Sequence, residues 1–189
     1  MSMVLHIKNM VCDRCIMVVN QQLEKLGFTV TESLLGKVSI APEPDESQLS
    51  QIRPALKLLG FELIDEKRKQ LVEQIKNVIV EMVHYTDPDD IKINYSDYIS
   101  SRLDVDYPYL SSLFSESEDI TIERYIINQK IEKVKELLEY GELNLNQIAL
   151  KMGYSSAAHL SSQFKNITGI TPTAFKTNEV KRRKPLDQI

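Results

Sequence analysis

Residues 121–176, TIERYIINQKIEKVKELLEYGELNLNQIALKMGYSSAAHLSSQFKNITGITPTAFK, decide how the C-terminal half of this chain folds. Ile122, Ile126, Ile127, Ile131, Val134, Leu137 and Leu138 recur at helical spacing and Gly141 follows, which predicts one long helix from about Thr121 to Tyr140. After it, Ala149-x-x-Met-Gly-Tyr leads to Leu160-x-x-x-Phe164. An earlier copy, one residue shorter in the turn, reads Ser100-x-x-Leu-Asp-Val and then Leu110-x-x-x-Phe114. Each copy predicts a short helix, a tight turn and a second helix. Ser100 and Ala149 supply the small residue needed where the helices cross, and Asp104 and Gly153 tolerate the unusual dihedrals of the turn. Asp106 in one copy, and Ser155 or Ser156 in the other, are expected to cap the second helix. Its apolar residues anchor it and leave the opposite face free to enter a major groove.

With Ile-Ala-x-x-x-Gly-Tyr, then Phe-Lys, then Thr-Gly-x-Thr-Pro behind a long helix, this region resembles the DNA-binding part of the AraC family of bacterial regulators. The resemblance covers roughly residues 70–177. It implies two helix-turn-helix units joined by the long helix, each offering its second helix to a neighbouring stretch of major groove. About 20 helical residues span ~30 Å, close to one turn of DNA. The family's base-reading positions fall on Pro108, Ser111 and Ser112 in the first unit, and on Ala157, Ala158, Ser161 and Ser162 in the second. Ser156 and His159 lie beside the latter, Gln163 is on or near the same face, and Lys165 and Lys176 are placed to meet phosphates. None of the reading positions is Arg, Gln or Asn, so direct base readout is expected to be weak.

Charge is distributed unevenly in a chain of 189 residues with net charge −4. Residues 143–184 carry Lys151, Lys165, Lys176, Lys181, Arg182, Arg183 and Lys184 against Glu179 alone, so a positive surface is expected in an acidic protein. The first helix-turn-helix has no basic residue between Leu103 and Glu123 and carries Glu116, Glu118 and Asp119. The second should therefore dominate DNA binding. The run Lys181–Lys184 reads as a solvated terminus or a phosphate-binding tail.

The N-terminal third changes period repeatedly. Val4–Ile7 reads as a strand, and Ile16, Val19, Leu23 and Leu26 as a helix ended by Gly27. Residues 28–34 and 37–41 read as a hairpin turning at Gly36. Leu49, Ile52, Leu56 and Leu59 read as a helix capped by Ser47 and closed by Gly60, and Phe61–Ile64 as a last strand. The order βαββαβ predicts an α+β, ferredoxin-like domain over 1–66 ahead of an all-α double helix-turn-helix domain over 67–177, with a basic tail over 178–189. The charged run Glu66–Gln70 is the expected connector, leading to a helix from about Lys69 that must stop by Pro88.

Met10-x-Cys12-x-x-Cys15, between the first strand and the first helix, together with Gly60-Phe61, resembles heavy-metal-associated domains of copper chaperones and metal-transporting ATPases over about residues 3–65. Two thiolates at a helix N-terminus are expected to have lowered pKa values and to hold a two-coordinate Cu(I) or another soft metal ion. Zinc would need more ligands, from a dimer or from His6 with a carboxylate. A redox pair and an inherited scaffold without chemistry remain open alternatives. His6, His84 and His159 lie in separate elements, with no paired nucleophile or phosphate loop, so no enzyme is expected. His84 reads as a local cap partner.

The sequence thus predicts a DNA-binding transcription regulator responding to a metal ion or thiol redox state. Double-stranded DNA is its expected partner, with RNA polymerase and a second copy of the chain as further candidates. The alternative is a metal-handling or scaffold protein whose helical half no longer reads DNA. No apolar run approaches the ~20 residues of a membrane span and no secretory signal opens the chain, which predicts a cytoplasmic protein without membrane contact.

Overall fold

The structure, a computed structural model, describes residues 2–87, 93–177 and 183–189. It divides into two compact units, Met1–Asn77 and Val78–Ile189.

In the first unit, β1 (Met3–Lys8), α1 (Asp13–Lys25), β2 (Thr29–Leu34), β3 (Lys37–Ala41), α2 (Glu46–Lys57) and β4 (Glu62–Leu63) follow one another. The four strands form an antiparallel sheet in the order β2-β3-β1-β4. Alternation decides which face is dry: Leu5, Ile7, Val38 and Ile40 pack with Val19 and Leu23 of α1 and Ile52 and Leu56 of α2. Fully burying each such side chain contributes about 1.5–3 kcal/mol. Met10, just ahead of the cysteines, belongs to this core.

Three local expectations are corrected. The cap of α2 is Asp45, not Ser47: its carboxylate accepts from Gln48 N while the Gln48 side chain accepts from Asp45 N, a reciprocal box that secures two otherwise orphaned donors. The last strand is only two residues long, although Ile64 N still donates to His6 O over 2.8 Å. Glu66–Gln70 is not a connector ahead of the helix expected from about Lys69, because α3 (Lys67–Val80) already begins at Lys67. Its early turns are fastened to the first unit. The Gln70 amide donates to Ile64 O over 2.8 Å, Glu73 accepts from Asn9 N, and the Asn77 amide donates to Leu35 O over 3.3 Å.

At that last contact Gly36 has φ +74, and a Cβ added there would lie 2.0 Å from Asn77 Nδ2. Only glycine satisfies both the turn and the close approach. Residues Glu81–Tyr85 continue α3 as one turn of π-helix, and Pro88, the expected stop, lies outside the described residues.

The second unit contains α4 (Tyr95–Leu103), α5 (Tyr107–Glu118), α6 (Ile122–Tyr140), α7 (Leu145–Lys151), α8 (Ala157–Thr168) and α9 (Pro172–Thr177). Thr121 caps α6 by accepting from Arg124 N, and Gly141 ends it at φ +72. Ile131, Val134 and Leu138 of α6 form a core with Ile148, Ala149, Leu160, Phe164 and Phe175.

His84 is not a local cap. Its Nε2 lies 2.9 Å from Gln129 Oε1 on α6, and burial lowers its pKa despite that bond. The chain end also lies along α6: Arg183 pairs with Glu136 over 2.9 Å, Lys184 N donates to Glu132, and Leu186 O accepts from Gln129. Lys181 and Arg182 of the basic run lie outside the described residues.

Candidate nucleic-acid interface and thiol pair

Both repeats are built as helix, turn and helix. In the first, Asp104 takes a left-handed conformation at φ +53, and Asp106 occupies the N-cap of α5 without making a side-chain cap bond. In the second, Gly153 turns at φ +72 and Ser156 caps α8, accepting from His159 N over 3.1 Å. Leu110, Leu113 and Phe114 bury one face of α5, and Leu160 and Phe164 bury one face of α8.

On α8 the face away from the core is formed by Ala158, His159, Ser162 and Lys165, all exposed, whereas Ala157 and Ser161 are half-buried. Ala157 packs against the core, so its methyl serves folding as well as the surface. His159 is held in place: Nδ1 lies 3.2 Å from Ser155 Oγ, and its ring meets Tyr154 edge-on at 5.4 Å. Tyr154 in turn donates its hydroxyl to Gln163 Oε1 over 2.6 Å, which removes Gln163 from the exposed set. Burial raises the Tyr154 phenol to about 12. Lys176, at the end of α9, is exposed.

The corresponding face of α5 is less suited to a phosphate backbone. Ser112 is exposed but donates to Glu116 over 3.0 Å, Ser111 is half-buried, and Pro108 sits in the opening turn. The Tyr107 hydroxyl donates to Glu123 over 2.6 Å, which holds that carboxyl below its usual range. Asp97, Asp104 and Asp106 line one hollow beside α5. One residue escaped the sequence reading: Tyr109 is 51% exposed one turn before Ser112. Lys151, one of the cations of the basic stretch, is exposed at the end of α7. An aromatic residue in the opening turn of the second helix was the available signal for Tyr109.

In the first unit Cys12 is the N-cap residue of α1, and Cys15 N donates to Cys12 O over 2.9 Å. The two sulfurs are 3.2 Å apart and both thiols are free. Burial pushes the Cys15 thiol above its usual value, and its hydrogen bond with Cys12 adds to this. That is opposite to the lowering expected from the helix terminus. His6 lies on β1 opposite Lys37, and among the described residues no three His, Cys, Asp or Glu side chains converge as metal ligands. The expected help from His6 is therefore absent within the described residues of one chain.

Comparison with known proteins agrees with the C-terminal geometry. Residues 99–178 match the family model "Helix-turn-helix domain". The chain is 28% identical over 119 residues to the Msm operon regulatory protein of Streptococcus mutans, covering 63% of this chain and 40% of that one. It is 28% identical over 137 residues to the probable transcriptional regulator LumQ of Photobacterium leiognathi, covering 70% of this chain and 53% of that one. It thus spans about half or less of these curated relatives. The C-terminal domain of the two-component response regulator yesN from Fusobacterium nucleatum is 32% identical over 55% of this chain and 95% of its own, with a TM-score of 0.46. Residues 99–178 thus carry a helix-turn-helix domain, and the two curated relatives similar to this chain are regulatory proteins. No helix among the described residues is long and apolar enough to cross a membrane.

Proposed function

We propose that this chain is a DNA-binding transcription regulator of the AraC type, with α8 as its principal major-groove helix. The observation that carries this reading is the face of α8: small side chains at Ala158 and Ser162 flanked by exposed Lys165, with Lys151 and Lys176 exposed nearby in sequence. Small residues let the helix approach base edges closely, and the lysines supply phosphate contacts that do not depend on sequence. The first repeat, with its serine tied to a carboxylate, contributes shape more than charge. RNA polymerase and a second copy of the chain are the further partners this role calls for.

The test is a titration of the full chain on duplex DNA at increasing salt. Affinity should fall steeply with salt, and Lys165→Ala with Lys176→Ala should weaken binding to all duplexes alike and flatten that slope. A double variant with unchanged affinity and slope removes this surface from the interface.

The first unit we read as a ferredoxin-like fold of the heavy-metal-associated type, supported by its strand order and by two free thiols at the start of α1. Cys12 and Cys15 would hold one soft cation such as Cu(I), the ion supplying a thiolate-bound charge beside α1. Metal–sulfur bonds are about 2.3 Å for zinc, so a linear two-sulfur site needs roughly 4.6 Å between sulfurs. At 3.2 Å, one side chain must rotate on loading, which solvent access at this loop permits. The same closeness supports reversible oxidation of the pair. Competition with a chromophoric Cu(I) chelator on the full chain should show about one ion per chain, lost in Cys12→Ser. Equal DNA affinity with and without the ion, under reduction, would leave the site without a regulatory role.

A further inference from the structure

We infer that the second unit contains a binding site for a small apolar organic acid. A cavity of about 350 Å³, the size class of small-ligand sites, is lined by Met82, Val83, Tyr95, Lys130, Lys151 and Met152 among others. Much of its lining is apolar. Met82 and Met152 are both buried, and their unbranched side chains adapt readily to ligands of different outline.

Among the described residues that line it the charged groups have one sign: there is no Asp or Glu, whereas there are two lysines. Lys130 Nζ donates to Tyr95 Oη over 2.6 Å and to Met152 O over 2.8 Å, which commits two of its three donors and leaves one. The ammonium also lies 4.8 Å from the Tyr95 ring centre and 5.5 Å from that of Tyr154, so it is fixed rather than mobile. Lys151 is exposed, with no hydrogen bond or ion pair to the other described residues. An apolar floor with one fixed and one free ammonium fits a carboxylate whose hydrocarbon part enters first.

The placement gives such a ligand leverage. Tyr95 opens α4 in the first repeat, Lys151 and Met152 end the first helix of the second, and Lys130 belongs to α6 between them. A bound acid would tie both repeats to α6 at one point and set the separation of α5 and α8. This consequence rests on the DNA-binding reading; occupancy itself does not.

The experiment is calorimetric titration of the full chain at neutral pH with benzoate and with octanoate, using benzyl alcohol and 1-octanol as uncharged counterparts. At least one acid should bind saturably at one per chain, at least tenfold more tightly than its alcohol. Lys151→Glu should weaken it tenfold or more, and Val83→Trp, which fills the cavity, should abolish it. Should Val83→Trp not fold, the exposed Lys151→Glu substitution decides alone. Absence of saturable binding by both acids, or binding unaffected by Lys151→Glu, overturns the inference. A chain that binds the acid but no duplex keeps this site and loses the regulator reading.

Discussion

The backbone N–H of Asn9 donates to the Glu73 carboxylate over 3.1 Å, joining the loop after β1 to α3. Asn9 adopts φ +71 and its side chain donates to Gly60 O over 2.9 Å, so this residue is held from two sides three positions before Cys12. Glu73 is only 7% exposed. Replacing it with Ala leaves a loop N–H short of its acceptor, at an expected cost of about 1–3 kcal/mol. Urea denaturation of the full chain reads this directly, and an unshifted midpoint would show the bond to be dispensable.

Phe164 is fully buried and meets Phe175 edge-on at 5.6 Å. Phe164→Ala should cost about 3–5 kcal/mol, since the cavity adds to the lost transfer energy. Leu150→Ala, at a site 80% exposed on α7, should stay within about 0.5 kcal/mol. Thermal melts of the two variants should separate widely; similar melts would mean that α8 is not anchored through Phe164.

On α5, Glu116 accepts from Ser112 and places a negative charge on the helix that, in the proposed function, would face DNA from the first repeat. Glu116→Gln should strengthen binding to every duplex by a similar factor, because it removes repulsion and adds no base-specific contact. On the other repeat, Lys151→Ala should reduce the salt slope by about one if that lysine meets one phosphate. Electrophoretic mobility shifts at several salt concentrations measure both, and a sequence-selective response to Glu116→Gln would argue for direct readout through Ser112.

His84 carries the pH dependence of the second unit. Its pKa is lowered in the folded state, chiefly by burial, so near its unfolded pKa the unfolded chain binds more protons. Its contribution is present above about pH 6.5, the ordinary value for histidine, and is lost as pH falls through the lower, folded pKa. Glu136, held below its usual range because Lys133 and Arg183 outweigh its burial, loses its contribution separately as pH falls below the ordinary carboxylate range. His84→Gln should therefore flatten the stability profile just below pH 6.5, while the acid limb persists through Lys133 and Arg183 and weakens only by the share His84 contributes to Glu136. Chemical denaturation from pH 4 to 8 tests this, and identical profiles would show that His84 titrates as it does when unfolded.

Periodicity made most of the architecture legible, because each rule needed only neighbours in sequence. Leu5 and Ile7 alternate, the buried positions of α6 recur at helical spacing, and Asp104 and Gly153 stand where the two turns reverse. The cap of α2 was misplaced because Asp45 and Ser47 are both good caps, and only the reciprocal bond with Gln48 chooses between them. The start of α3 was misplaced because a charged run looks like a linker until its carbonyls find partners, as Glu66 O does with Gln70 N. His84 was misjudged for a different reason: its partner, Gln129, is fixed by packing rather than spacing, as is the Tyr154 hydroxyl that donates to Gln163. Of the interface candidates, Ala158, Ser162 and Lys165 lie on the exposed side of α8, as spacing from buried Leu160 and Phe164 implies, whereas the internal bond that occupies Ser112 was not legible.

Because α3 begins in one unit and ends in the other, the chain has no neutral place to be cut. A fragment ending at residue 66 loses Glu73, Asn77 and Gln70, and with them the acceptor for the loop that leads to the cysteines. A fragment starting at residue 78 discards three turns of a helix and keeps only its last turns, which must then hold their place through contacts such as that of His84 with Gln129. Any dissection of this protein into working parts must therefore duplicate α3, granting each part its own copy, and a piece prepared without it reports on the amputation rather than on the part.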